Sequence, residues 1–312
     1  MRWFVPGFAA APTIAVTGAR GDVGEHYAES VALMAVSPDG TSELSVRLAR
    51  FPARGVGTLW MHVKHRGNVY SLVDEHVDLA GFTGATAIRD PEVRFVGGGA
   101  SESRFVSRAR DTARMVGEVE SRMLAQRTAH PDGGAGTVPM RITARFEAAG
   151  RGVRLNGGTR NEIFGRVSAT VETPEATFTV ELPGKWHDQV GDRPNFAPKF
   201  TYLAVEGNRL ALLAIGFDAG ATGYLSEGGA SVAVDTFTID PLGAPQRCFR
   251  VTLDDGSVID GIAKVVQDWS VPIDGHRRPG ATVLVESNRG AFAGTLNDWD
   301  PPARTTNEEP DR

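Results

Sequence analysis

The densest collection of chemically capable side chains lies between Gly184 and Tyr202, where Trp186, His187, Asp188, Gln189, Asp192, Arg193 and Tyr202 share one short segment. An imidazole titrates near neutrality and suits proton transfer. Asp188, Gln189 and Tyr202 add hydrogen-bonding groups, and the rings of Trp186 and Tyr202 can stabilise a cation through their faces. Successive side chains of a strand point to opposite faces, so His187 and Gln189 are expected together, turned into a barrel, with Trp186, Asp188 and Val190 facing the other way. Uniting His187 with Asp188 requires a bulge, for which Gly191 and Pro194 supply the local irregularity. The competing structural reading is a polar knot in which Trp186 packs and Asp188 pairs with Arg193.

Other groups are weaker candidates. Tyr27 and Glu29, two residues apart, share a strand face, although on residues alone an exposed first strand explains them better. Glu29 and Glu162 are candidate acids, because burial raises the pKa of a carboxyl. His62 and His65 stand three apart, on opposite faces of a strand, which disfavours joint zinc ligation and favours a surface hairpin. Asp74, Glu75, His76 and Asp78 lack a partner cluster at ligand spacing and read as a solvated strand end, so no metal is expected. Thr17-Gly18-Ala19-Arg20-Gly21-Asp22-Val23-Gly24 matches the TGxxGxxG phosphate loop of short-chain dehydrogenases. No Tyr is followed four residues later by Lys, and no alternation of strands and helices follows, so it reads as a glycine-rich entry loop. A Gly-x-Ser-x-Gly elbow is absent, which removes the usual serine hydrolase arrangement.

The elements that would position these residues are strands. Leu44, Val46 and Leu48 alternate with Ser45, Arg47 and Ala49, the period of a half-buried strand. Pro38-Asp39-Gly40, His65-Arg66-Gly67, Glu206-Gly207-Asn208, Asp254-Asp255-Gly256-Ser257 and Asn288-Arg289-Gly290 are hairpin signals between apolar runs. Pro131–Gly136 reads as a loop. Residues 104–126 admit two readings: Met115, Val119 and Met123 fit a helical stripe, and Glu118–Arg122 equally fits an edge strand. The chain is therefore all-β, long enough at 312 residues for two antiparallel barrels or sandwiches.

Composition narrows the function classes. With 41% hydrophobic residues and 23% charged, the chain is an ordinary globular sequence. A net charge of -5 without a basic run argues against nucleic acid. Cys248 is the lone cysteine, so no internal disulfide forms, and a reducing cytoplasm is the expected location. Pro6 and Pro12 interrupt the apolar start, against a signal peptide. No apolar run reaches the roughly 18–20 residues of a spanning helix.

The order of features resembles the AttH-like and carotenoid 1,2-hydratase-like superfamily. The resemblance rests on Tyr27-Ala28-Glu29-Ser30 before a Pro-Asp-Gly turn, Arg50-Phe51-Pro52, the run to Asp78-Leu79, Asn161–Thr170, and above all Gly184–Gln189. It implies two tandem antiparallel calycin-like (lipocalin-like) β-barrels and a cofactor-independent enzyme for a hydrophobic, terpenoid- or polyketide-like small molecule. The expected reaction is acid/base-assisted hydration or cyclisation of an alkene. The family's segment often reads Arg-Asp-His-Ser-Trp-Gly, whereas here Trp186 precedes His187-Asp188-Gln189. On this reading 1–190 form an N-terminal barrel with its glycine-rich entry, 191–300 a C-terminal barrel, and 301–312 a disordered tail. His187, Asp188, Gln189 and Glu29 are the expected catalytic residues; Trp186, Arg193, Tyr202, Tyr27 and Glu162 are expected to bind substrate. The alternatives are a non-catalytic carrier of a lipophilic ligand, or a pericyclase. A homodimer is compatible with each.

Overall fold

The computed structural model describes residues 27–51, 56–74, 77–83, 92–98, 101–109, 112–129, 136–192, 199–273 and 276–299. The glycine motif at 17–24, residues 75 and 76, most of the loop at 131–136, Arg193 and the tail at 301–312 lie outside the described residues.

Among the described residues, twenty strands carry the fold. The first twelve are β1 (Tyr27–Val36), β2 (Ser42–Phe51), β3 (Val56–His65), β4 (Asn68–Asp74), β5 (Asp78–Thr83), β6 (Glu92–Gly98), β7 (Glu102–Arg108), β8 (Val116–Ala129), β9 (Gly136–Ala148), β10 (Val153–Leu155), β11 (Arg160–Glu172) and β12 (Thr177–Asp192). The remaining eight are β13 (Phe200–Gly207), β14 (Leu210–Phe217), β15 (Gly220–Glu227), β16 (Ala230–Ile239), β17 (Gln246–Leu253), β18 (Val258–Ile273), β19 (His276–Ser287) and β20 (Gly290–Trp299). Strands β1 to β12 form one 12-stranded sheet. Within it the pairings run β11-β12-β1-β2-β3-β4-β8-β9 and return from β9 to β11, so the sheet curls into a ring. The 14-residue β8 makes closure possible. It pairs β9 along one edge, while its other edge takes β7 at the start and β4 at the end. Strands β13 to β20 form a closed barrel in which every strand pairs its chain neighbours and β20 returns to β13. No helix among the described residues is long and apolar enough to cross a membrane.

Local sequence explains the turns. Asp39 Oδ1 accepts hydrogen bonds from Ser37 Oγ (2.6 Å), Thr41 Oγ1 (2.8 Å) and the Thr41 backbone N–H (3.0 Å), which pins the β1–β2 hairpin. Arg66 and Gly67 both take positive φ, 49° and 82°, as a two-residue hairpin requires. The ambiguous stretch resolves as strand: Met115, Gly117, Val119, Ser121, Met123 and Ala125 are buried, whereas Leu124 is 55% exposed. Residues four apart share a face in helix and strand alike, so only the intervening positions decide between them.

Two apolar interiors result. Leu33, Leu48, Met61, Phe105, Phe146, Ile163 and Trp186 fill the first ring; Leu203, Leu212, Phe249, Val283 and Phe292 fill the second barrel. The outer face of β1, β2, β3, β11 and β12 is also covered, because the second barrel packs against it. Leu155 and Phe164 meet Tyr202, Leu213, Ile215 and Tyr224, and Ala32, Met34 and Trp60 meet Trp269. Three expectations change in consequence. Ser45, Arg47 and Ala49 are buried like their apolar neighbours, so β2 is covered on both faces. Strand β1 is central rather than exposed, and His62 is buried in the seam. His65, on the opposite face from His62, stacks on Phe178 at 4.3 Å.

Trp186 fits its interior only because Gly117 has no side chain: a Cβ there would stand 2.4 Å from the indole. Gly117→Ala is therefore expected to destabilise the fold by about 1–3 kcal/mol through overpacking, read as a lower urea midpoint. An unchanged midpoint would mean that this close approach is not a constraint.

Candidate active site

Register decides which residues of the 184–202 segment can act together. Ala32, His187 and Glu162 are direct cross-strand partners on β1, β12 and β11, and Ala32 continues to Arg47 and Trp60 on β2 and β3. Directly paired residues share a face, so these five form one row on the outer face of the first ring. Lys185 and Gln189 lie on the same face, one step either side of His187. The alternation expected from sequence holds, but its sense is reversed. Trp186 and Asp188 point into the first barrel beside Leu33, Ile163 and Val31, while His187 and Gln189 point out toward the second. An indole flanked by Phe105 and Phe146 belongs in an apolar core, and its burial fixes the other face.

The second barrel answers with its own row. Tyr202, Asn297, Gly280 and Trp269 are successive partners across β13, β20, β19 and β18. A Cβ at Gly280 would come within 2.2 Å of the Trp269 ring, so the glycine lets that indole lie across β19. Between the two rows runs a cleft of about 110 Å³. Trp60, Trp269, Trp299, Phe200, Met34 and Ala32 make its apolar wall, and His187, Arg47, Arg160, Tyr202, Asn297 and Asp298 supply polar groups. Ser30 Oγ lies 3.3 Å from His187 Nε2, and the tautomer sets which atom donates. Asp298 accepts from Arg247 at 2.7 and 3.1 Å and from Thr201 at 2.8 Å, so it is an anchored carboxylate.

Behind Tyr202 sits a buried charge network. Arg160 Nε donates to Glu162 Oε1 at 2.6 Å, and Lys185 Nζ donates to Oε2 at 2.9 Å. Lys185 Nζ also hydrogen-bonds the Tyr202 hydroxyl. Tyr224 adds a hydrogen bond of 3.1 Å to the Glu162 backbone carbonyl. Burial alone would raise the Glu162 pKa, but Arg160 and Lys185 together outweigh it and hold the carboxyl below its ordinary value. Burial also dominates at Lys185, bringing its pKa down to about 8 despite the pull of Glu162. The guanidinium of Arg160 and the ammonium of Lys185 lie 5.4 and 4.6 Å from the Tyr202 ring centroid.

The sequence-derived candidates therefore separate. His187, Tyr202 and Glu162 meet at or just behind the cleft, with Gln189 on the same face. Asp188 and Trp186 are on the other side of β12. Glu29 and Tyr27 are apart as well: Glu29 shares the face of Val31, where Arg50 (2.6 Å) and the Tyr27 hydroxyl (3.0 Å) take its oxygens. Glu29 is ion-paired on the face away from the cleft, and Glu162 is ion-paired behind it. Sequence reasoning missed Arg47, Arg160, Lys185, Trp60, Trp269, Asp298 and Trp299. For Arg160 a signal existed, since its spacing of two from Glu162 places both on one strand face.

Removing the central anion tests the network. Glu162→Gln leaves the buried Lys185 and the partly buried Arg160 uncompensated, so a loss of about 3–5 kcal/mol is expected at neutral pH. Because the Glu162 carboxyl sits below its ordinary 4.5, its contribution is full above that pH and fades as pH falls through the lowered value. The variant should thus show a flatter acid limb in urea unfolding; an unaltered limb would mean the carboxylate stabilises nothing.

No protein-family model matches the chain, and no curated protein matches it in sequence. Solved structures do. The crystal structure of CghA superposes with a TM-score of 0.58 at 11% identity, over 88% of both chains. A putative AttH (NE1406) from Nitrosomonas europaea gives 0.56 at 12% identity, over 95% of this chain and 98% of that one. Kievitone hydratase from Nectria haematococca gives 0.50 at 7% identity, over 88% of both. Across nearly its whole length, the protein shares the fold of these solved structures, two antiparallel barrels in tandem.

Proposed function

We propose that the protein is a cofactor-independent enzyme that binds a hydrophobic small molecule in the inter-barrel cleft and adds water to, or cyclises, an alkene. The observation that carries this is the convergence of His187 and Tyr202 on one aromatic-walled space, with Lys185 bonded behind the phenol. An ammonium against the phenol oxygen stabilises the phenolate, which makes Tyr202 the acid in place of the ion-paired Glu29 and Glu162. Tyr202 gives its proton to one alkene carbon, and positive charge develops on the other, facing the indoles of Trp60 and Trp269. His187 takes a proton from water as the water oxygen bonds that carbon, and later releases it to solvent. Enclosure by the two barrels strengthens each of these contacts. Similarity of fold to kievitone hydratase, and to CghA, which has been crystallised with Sch210972, supports a small-molecule enzyme. At about 110 Å³ the cleft is smaller than the roughly 300–1,000 Å³ of drug-sized sites, so it receives the reacting part of a substrate.

A second reading has its own support. Asp298, the carboxylate in the cleft wall, is held by Arg247, and a pericyclic reaction needs shape and hydrogen bonds rather than a free acid. The variants Tyr202→Phe and His187→Ala separate these readings, assayed on a lipophile identified by native mass spectrometry of the purified protein. The hydration mechanism predicts that each lowers kcat by about 10²–10⁴-fold; full turnover in both sinks it and leaves the pericyclase, and binding without turnover in the parent protein leaves the carrier. Gly280→Ala, which must displace Trp269, is expected to raise KM with a smaller effect on kcat; an unchanged KM would remove Trp269 from the binding wall.

A further inference from the structure

The aromatic cleft holds a charge that the hydration chemistry leaves unused. Arg47 borders it from β2, on the outer face that register assigns to Ala32 and His187, and is only 8% exposed. Met34, Trp60, Phe200 and Trp299 belong to the same walls. A guanidinium keeps its proton at every physiological pH, so Arg47 is a permanent cation in largely apolar surroundings. Burying such a charge is costly unless an anion answers it.

The carboxylates described beside this space are engaged with other cations. Asp298, in the same walls, binds Arg247 through both oxygens, at 2.7 and 3.1 Å, and accepts from Thr201 at 2.8 Å. Glu162, behind Tyr202, gives one oxygen to Arg160 and the other to Lys185. In the walls and the groups bonded to them, the cations Arg47, Arg160, Lys185 and Arg247 thus outnumber the carboxylates Glu162 and Asp298 among the described residues. Arg160 also lines the cleft, but its Nε and one terminal nitrogen are turned to Glu162. Arg47 has an interaction of its own within the protein. A guanidinium carries five N–H donors in a planar fork, enough to receive a ligand besides.

We propose that the cleft selects a lipophile ending in a carboxylate, with the Arg47 guanidinium as its anchor. The inference deepens the reading of the cleft as the substrate site and rests on it. In the row His187, Ala32, Arg47, one strand separates the imidazole from the guanidinium, a span of roughly 10 Å between backbones. A substrate whose carboxylate lies a few bonds from its alkene is held at both points. The anion also bears on the chemistry. Protonating an alkene builds positive charge in a space already rich in cations, and a substrate carboxylate on Arg47 offsets it. Arg47 thereby sets which lipophiles enter and in which orientation.

Calorimetry with three probes that share one alkene tail tests this: trans-cinnamate, cinnamamide and cinnamyl alcohol at neutral pH, where only the first is charged. The protein is expected to bind the carboxylate roughly ten- to hundredfold more tightly than either neutral probe. Arg47→Met replaces the fork by an apolar chain, and the preference should fall to within about twofold. Arg47→Lys keeps the charge without the fork and should retain part of it. Should Arg47→Met not fold, the probe series in the parent protein and in Arg47→Lys still decides. Equal binding of the three probes by the parent protein overturns the inference and leaves the cleft as a site for neutral lipophiles. A preference that survives Arg47→Met overturns it as well, because the anion then lies elsewhere. Binding of none of the probes also overturns it, while a neutral lipophile found between Trp60 and Trp269 by crystallography would still uphold the site. Selective binding of cinnamate by a protein that turns over no alkene upholds the inference and removes the enzyme reading alone.

Discussion

A carboxylate cannot enter the seam between two barrels without cations, and the arrangement of the candidate site follows from how Glu162 meets that condition. Its position on the outer face of β11 is fixed by Ile163 on the inner face, which packs in the first barrel. Once the second barrel covers it, Arg160 and Lys185 must take its oxygens, because moving an unpaired carboxylate out of water costs far more than one contact returns. Lys185, drawn in by Glu162, is then held where its remaining donor capacity meets the Tyr202 hydroxyl. A requirement of stability thereby places a positive charge behind a phenol at the edge of an aromatic cleft.

The same condition explains why the site lies between the barrels rather than inside one. Both interiors are filled by apolar side chains, including Trp186, Phe105 and Phe146 in the first and Phe249 and Phe292 in the second. The facing outer surfaces must carry groups that each barrel cannot bury alone. Glu43, Ser45, Arg47, His62, Lys185, His187 and Gln189 are all buried on the first barrel's covered face. Packing two such faces leaves gaps wherever polar geometry and indole rings do not interlock, and the cleft beside Trp60 and Trp269 is one of them. Gly280 enlarges that possibility by allowing Trp269 to cross its strand.

Much of this architecture is legible in the sequence, for local reasons. Hairpins announce themselves through Asp39-Gly40, Arg66-Gly67 and Asp255-Gly256, whose backbones need the conformations those residues tolerate. The alternation of His187 and Gln189 against Trp186 and Asp188 follows from strand geometry. Which face is the interior does not, because β12 is covered on both sides and every residue from Lys185 to Gln189 is buried. Trp186 carried the clue, since its indole matches an aromatic core better than a polar seam. The residues that line the cleft with His187 were hidden for a different reason. Arg47, Trp269 and Asp298 come from strands far apart in sequence, and only the packing of one barrel on the other unites them.

The central claim is that small molecules bind between the barrels, against the outer face of the first. A crystal structure of the protein with a bound lipophilic ligand tests it most directly. The account predicts ligand density between Trp60 and Trp269, in reach of His187 and the Tyr202 hydroxyl. Density inside the first barrel, beside Trp186 and Asp188, would contradict it.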